Sequence, residues 1–256
     1  MNITDARSEL LDWVARCKTN DIDYLDIMTS LGFLQKSAIQ NKPTPCAFKD
    51  MDEFGEAVIT AKQDLKKFLD HKIPDIGLIV KSSVAGNTFR AFHMKSRGLA
   101  PSELYRSTVT KIFIRDLALF KGLNTQEAYT KFVVTRAKEI GTVFDESMGK
   151  DGFMGFNRAS KLLNLTCKEM LRFSGFDREV QRNLLPLLHV PWDSFTLQAV
   201  RLLKPPYPIP MNASMGWEKL NDEETYLMFQ AWIRAECDKL NAYPIHYEIA
   251  AWNMAH

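Results

Sequence analysis

The chain has 256 residues, with 33 Lys and Arg against 31 Asp and Glu, and it is 46% hydrophobic and 25% charged. That balance excludes a disordered chain, and the length allows one large domain or two small ones with a core that needs no disulfides. No apolar run approaches the ~20 residues that span a bilayer, and the start MNITDARSELLDW lacks a basic segment followed by an apolar one, so a protein without a membrane span, in the cytoplasm, is expected. Cys17, Cys46, Cys167 and Cys237 lie far apart without CxxC or CxxH spacing. They read as reduced, packed thiols, and neither a metal nor a cofactor is expected. The net charge of +2 neither requires nor excludes nucleic acid, because the placement of positive charge decides that, not its sum.

Apolar residues recur at helical spacing through most of the chain, which predicts an all-α protein. Leu10, Leu11, Val14 and Cys17 form a first stripe behind a capping pattern at Thr4 to Glu9, and Tyr24, Ile27, Met28 and Leu31 form a second, ended by Gly32. Residues 40–50 form a loop. Phe54, Val58, Ala61, Leu65 and Phe68 mark a third helix that Pro74 prevents from continuing. Residues 82–97, with Arg90, His93, Lys95 and Arg97, read as an irregular connection. Pro101 opens a helix with Leu104, Thr108, Ile112 and Leu119 on a wide apolar side, and Asn124 or Thr125 caps the next, which runs to Gly141. A glycine turn then feeds an apolar helix, a polar segment carries Arg172, Arg178 and Arg182, and Pro186 breaks the stretch 184–190. Residues 191–203 read as a capped helix and KPPYPIP as an extended crossing. Residues 221–240 read as a long helix with Asn221 and Glu224 at its start and Tyr226, Phe229, Ile233, Cys237 and Leu240 along one edge.

Two segments carry candidate chemistry. In the first, Gly152 and Gly155 make a Gly-x-x-Gly turn followed by Phe156, Asn157 and Arg158, with Lys161 one helical turn beyond Arg158. Such a turn lets backbone N–H groups approach a phosphate, and the helix that follows adds a favourable dipole; Arg158 and Lys161 are placed to share that phosphate. In the second, Pro191-Trp192-Asp193 sets a carboxylate at the start of a helix that reaches Arg201. Each segment also has a plainer reading. Asp at a helix start is ordinarily a cap worth ~1 kcal/mol, the arginines at 172, 178 and 182 an exposed polar face, and His189 and His246 hydrogen-bonded interior residues. Met148, Met154, Met211 and Met215 read as packing residues.

Read together and in this order, the two segments resemble the helix-hairpin-helix DNA glycosylase superfamily, in which a Gly-x-Gly hairpin precedes a Pro-Val-Asp segment and a helix ending Arg-Leu. The tail, with Tyr226, Gln230, Pro244, His246 and Trp252, is similar to that of the archaeal oxidised-guanine glycosylases. The resemblance covers residues 100–256 and implies a two-lobed helical fold with a cleft, preceded by a helical region at 1–99 of unassigned role. It implies DNA as partner, Asp193 as the catalytic carboxylate, Gly152, Gly155, Asn157, Arg158 and Lys161 as DNA-binding, and Phe156, Trp192 and Trp252 as walls of a pocket for a flipped base. The bifunctional members attack the sugar with a hairpin lysine. Here Met154 or Ala159 stands in that register, while Lys150 and Lys161 fall outside it, Asn157 replaces the second hairpin glycine, and Trp192 replaces a small aliphatic residue. Lysine-free hairpins occur in the monofunctional glycosylases and in phage enzymes that modify thymine derivatives, the amino acid:DNA transferases of thymine hypermodification. The expected function is monofunctional base excision, with two alternatives. One is transfer of an amino acid or amine donor to pyrophosphorylated hydroxymethyl-deoxyuridine, in the host cytoplasm if the chain is phage-encoded; the other is non-catalytic DNA binding.

Overall fold

A computed structural model describes residues 48, 50–84, 89, 99–148, 154–193, 196–197 and 222–255. The two helices expected before residue 32, the basic set from Arg90 to Arg97, Gly152, Arg201 and the proline-rich crossing lie outside the described residues.

Regular structure among the described residues is helical. Helix α1 (Met51–Asp70) starts at Asp50, whose side chain accepts the Glu53 N–H, and it buries Phe54, Val58, Ala61 and Leu65 at helical spacing. The apolar run after Pro74 is itself a short helix, α2 (Ile76–Ser83), capped by Asp75. Pro101 occupies the first turn of α3 (Pro101–Lys121), and Glu103 reaches back to the Ala100 N–H at 3.1 Å. Of the two candidate caps for α4 (Gln126–Met148), Thr125 serves, accepting the Ala128 N–H through Oγ1. This helix does not stop at Gly141. A Cβ there would lie 3.4 Å from the Met154 carbonyl oxygen, so the glycine admits the neighbouring chain and terminates nothing.

Helix α5 (Phe156–Met170) follows. The polar segment beyond it folds into the short helix α6 (Arg178–Leu184) on an Asp177 cap, and Pro186 lies in a 3-10 turn (Leu185–Leu187). Helix α7 (Glu223–Lys239) is capped by Asp222 in place of the expected Asn221, because the Asp222 carboxylate accepts both the N–H and the hydroxyl of Thr225. Asn241, at φ 50, turns the chain in the left-handed region, and Ala242 N–H bonds back to the Cys237 carbonyl before α8 (Pro244–Ala255) begins.

Helix α5 is the centre of the packing, with α2, α4 and α7 against it, while α1 lies along α8 and α3 bridges α2 and α4. Residues from all these helices form one hydrophobic core, which runs without a break across the expected division at residue 99. The polar side chains of α5 are met sideways. Thr166 Oγ1 lies 2.8 Å from both Ser83 Oγ and Tyr105 OH, and Lys168 Nζ donates to Glu248 Oε1 and Oε2 at 2.8 and 3.0 Å. Helices α3 and α4 are joined at Asp116, which both Arg115 and Arg136 approach to 2.8 Å. Hydrogen bonds from Arg115, then the charge of Arg136, hold the Asp116 carboxyl below its ordinary range.

Glu248 is 5% exposed and Lys168 18%, so removal of the lysine alone strands a buried carboxylate. Lys168→Met is expected to lower the free energy of unfolding in urea by about 3 kcal/mol, and Lys168→Met with Glu248→Leu to recover most of that loss.

Candidate functional site

Asp193 is placed by its surroundings rather than by a long regular element. Just before it, the side-chain amide of Gln230 on α7 clamps Val190, accepting its N–H at 2.9 Å and donating to its carbonyl at 2.7 Å. Upstream, Arg234 donates to the carbonyls of Pro186 and Leu187. Trp192 is fully buried and stands edge-on to Phe229 and tilted against Tyr247. Its indole N–H has no hydrogen-bond partner among the described residues. After Asp193 the chain turns into a helix. Asp193 Oδ1 accepts the Thr196 N–H at 3.0 Å, Thr196 Oγ1 accepts the Asp193 N–H at 2.8 Å, and Tyr247 OH donates to the Thr196 carbonyl. The aspartate is therefore a cap, as the plainer reading held, and Oδ1 is committed to that task.

Oδ2 faces elsewhere. Lys161 Nζ, from the second turn of α5, lies 3.3 Å from it, and the two side chains are 13% and 14% exposed. The segments that carry the sequence resemblance thus meet at a partly buried ion pair. Gly155 sits at the start of α5 with φ −54, accepting from the N–H groups of Arg158 and Ala159, and both Gly155 and Asn157 are buried. Arg158 is half-buried, and desolvation lowers its pKa. Within the described part of the turn, Arg158 is the residue with surface to offer a phosphate.

The three aromatic candidates stand against different partners. Phe156 packs edge-on to Tyr226, Trp192 belongs to the core, and Trp252, 47% exposed, lines a cleft of about 190 Å³ with Asp64, Phe68 and Lys168. Of the tail residues, Tyr226 and Gln230 act as supports. Tyr226 OH accepts from Asn164 Nδ2 and meets His189 Nδ1, both at 2.8 Å, while His189 Nε2 lies 2.9 Å from Gln126 Nε2 and 3.1 Å from Thr130 Oγ1. Because the Gln126 amide nitrogen donates, His189 accepts through Nε2 and carries its proton on Nδ1. His246 accepts the Tyr243 N–H through Nδ1 at 2.9 Å and closes the start of α8. Thr196 and Tyr247 escaped the sequence reading. The Asp-x-x-Thr spacing of 193 to 196 is a legible cap signal, whereas nothing in the sequence points Tyr247 at Thr196.

No family model, no curated protein and no solved structure matches this chain. Among the described residues, no helix is long and apolar enough to cross a membrane, and no group of His, Cys, Asp or Glu is arranged to hold a metal ion. Cys167 and Cys237 are free and buried, and burial raises both thiols to about 12, which leaves them unreactive near neutral pH.

The two buried imidazoles set a pH dependence. Burial, then the charge of Arg234, pushes His189 down to about 3, and burial, then Lys62, pushes His246 down to about 4, both from 6.5. The unfolded chain takes up these protons first as pH falls, so their stabilising contribution is complete above 6.5 and is lost below it, at about 1.4 kcal/mol per pH unit for each histidine. Urea unfolding at pH 6.5 and pH 5 is expected to differ by about 3 kcal/mol in the wild type. In His189→Gln, which keeps a polar side chain but cannot titrate, that difference is expected to be roughly halved.

Proposed function

We propose that the chain is a DNA base-processing enzyme built on a two-lobed, glycosylase-like helical scaffold, which draws a flipped base to Asp193 and excises it without a lysine nucleophile. The observation that carries this reading is the Asp193–Lys161 contact. It joins the helix after the glycine turn to the aspartate after Pro191 and Trp192, the two parts that such a site requires, through side chains that are both partly buried. In excision, the oxygen of water bonds to C1′ of the sugar as the glycosidic C–N bond breaks, and the base leaves with the electron pair. Asp193 stabilises the cationic character on the sugar and takes the proton from water. Oδ1 is anchored by Thr196, so Oδ2 is the oxygen that works, and Lys161 holds it in position until substrate arrives.

The same contact favours a second reading. Oδ2 already faces an ammonium group, and a primary amine from an amino acid or amine donor can replace it. In that reaction the amine nitrogen bonds to the methylene carbon on C5 of the flipped pyrimidine, pyrophosphate leaves with the electron pair, and Asp193 takes the proton of the amine. DNA is the partner in both readings, and neither requires a cofactor.

The test is mass spectrometry of bases and nucleosides after incubation with DNA, including phage DNA that carries pyrophosphorylated hydroxymethyl-deoxyuridine, with and without amino acids. A released base supports excision; an amino acid-dependent gain in nucleoside mass replaces excision with transfer. Neither product, with DNA binding retained, leaves a binding protein. In the active reaction, Asp193→Asn is expected to reduce turnover at least about 100-fold. DNA binding is expected to be largely unchanged, because in this reading the aspartate acts on the reacting sugar and does not hold the DNA backbone.

A further inference from the structure

A cleft of about 420 Å³ lies between the last two turns of α1 and helix α6. Its walls are Lys66, Leu69 and Asp70 on one side and Arg178, Gln181, Arg182 and Leu185 on the other. The segment that leaves α1 is tied to the one that leads into α6. Ile73 and Ser174 exchange backbone hydrogen bonds with the segments opposite them in a parallel bridge, Lys72 Nζ donates to the Phe176 carbonyl, and Arg172 Nε donates to that of His71. Buried Gln181 ties α6 to the end of α5 by donating to the Leu171 carbonyl at 2.7 Å. On this frame, Arg178 and Arg182 stand one turn apart on α6 and face Lys66 across the cleft.

Three cations therefore border the cleft against one carboxylate, Asp70. The chain as a whole is close to neutral, with 33 basic and 31 acidic residues, so this is a local concentration of charge and not a share of a general excess. The side chains of Lys66, Arg178 and Arg182 are exposed, and none of them makes an ion pair with a carboxylate among the described residues. That sets them apart from Lys161, Lys168, Arg172 and Arg115, each of which is paired. The lining has no aromatic ring to stack a base, and its apolar residues are Leu69 and Leu185. A cleft of this kind suits a chain of phosphates and gives no means of reading a base.

We propose that this cleft holds the phosphodiester backbone of DNA, away from the reacting base, with Lys66, Arg178 and Arg182 each neutralising a phosphate. The inference rests on the reading above only in taking DNA as the polymer.

The test is fluorescence anisotropy of the full chain with labelled duplex and single-stranded DNA across a sodium chloride series. Each lost phosphate contact lowers the slope of log K against log salt by about 0.9 on a duplex. The pair Arg178→Gln and Arg182→Gln is expected to lower it by about two, and Lys66→Gln by about one, while Asp70→Asn tightens binding. All four positions are exposed, and an unchanged melting temperature confirms that folding is intact. If Arg158→Gln lowers the slope and the cleft variants do not, the cleft inference is overturned and the DNA reading stands. If the cleft variants alter only competition by inorganic pyrophosphate, the site takes a small anion and the inference is again overturned. A wild type that binds no DNA overturns both. If the cleft variants behave as expected but no base is released or altered, the cleft stands and base processing falls.

Discussion

Helix α5 is buried over most of its circumference, although it carries Asn157, Ser160, Lys161, Asn164, Thr166 and Lys168. A helix in that position needs a partner for each polar side chain, because an unmatched buried dipole or charge costs more than the helix gains from packing. Its neighbours supply partners to four of these side chains, although Asn164 Oδ1 has none among the described residues. Ser83 and Tyr105 meet Thr166, Tyr226 meets Asn164, Glu248 meets Lys168, and Asp193 meets Lys161. These contacts tie helix α5 to helices α2, α3, α7 and α8 and to the Asp193 turn, so the packing of these described elements follows in part from where one helix places its polar groups.

The candidate site inherits its rigidity from that arrangement. Asp193 follows an irregular stretch, a type of segment that ordinarily moves. Here the stretch is clamped at Val190 by Gln230, weighted by the buried indole of Trp192, and closed by Thr196 and Tyr247. One carboxylate oxygen is spent on the turn and the other faces a lysine. A group so held gains little from local flexibility and can be precise, which a transition state that develops charge within a narrow volume demands.

Charge in this protein is divided by purpose. The imidazoles of His189 and His246 are kept neutral by burial and serve as hydrogen-bond fixtures. Arg115 and Arg136 hold Asp116 between two helices, and Arg172 pairs with Glu169 while lying over the ring of Phe68. Cations committed in this way cannot also bind a polyanion without breaking structure. Among the described residues, the cations along the α1–α6 cleft make no ion pair with a carboxylate, and such differences in placement, not the total charge, decide where a polyanion is attracted.

The helical class and most helix positions were legible in the sequence, because they rest on short-range causes: the spacing of Phe54, Val58, Ala61 and Leu65, the caps Thr125 and Asp193, and the prolines at 74, 101 and 186. Local signals also misled. Gly141 looked like a helix end and is a point of close chain approach, and the cap of α7 fell to Asp222, one residue after the expected Asn221. The sequence by itself determined a helical chain, an aspartate at a helix start and the interior character of His189. Only the tertiary structure decided that Lys161 would face that aspartate, that Tyr247 would hold its turn, that Trp192 would lie in the core, and that residues 51–83 would share a core with the remainder. Those pairings join residues distant along the chain, and helical periodicity assigns a face to each residue without naming what lies opposite.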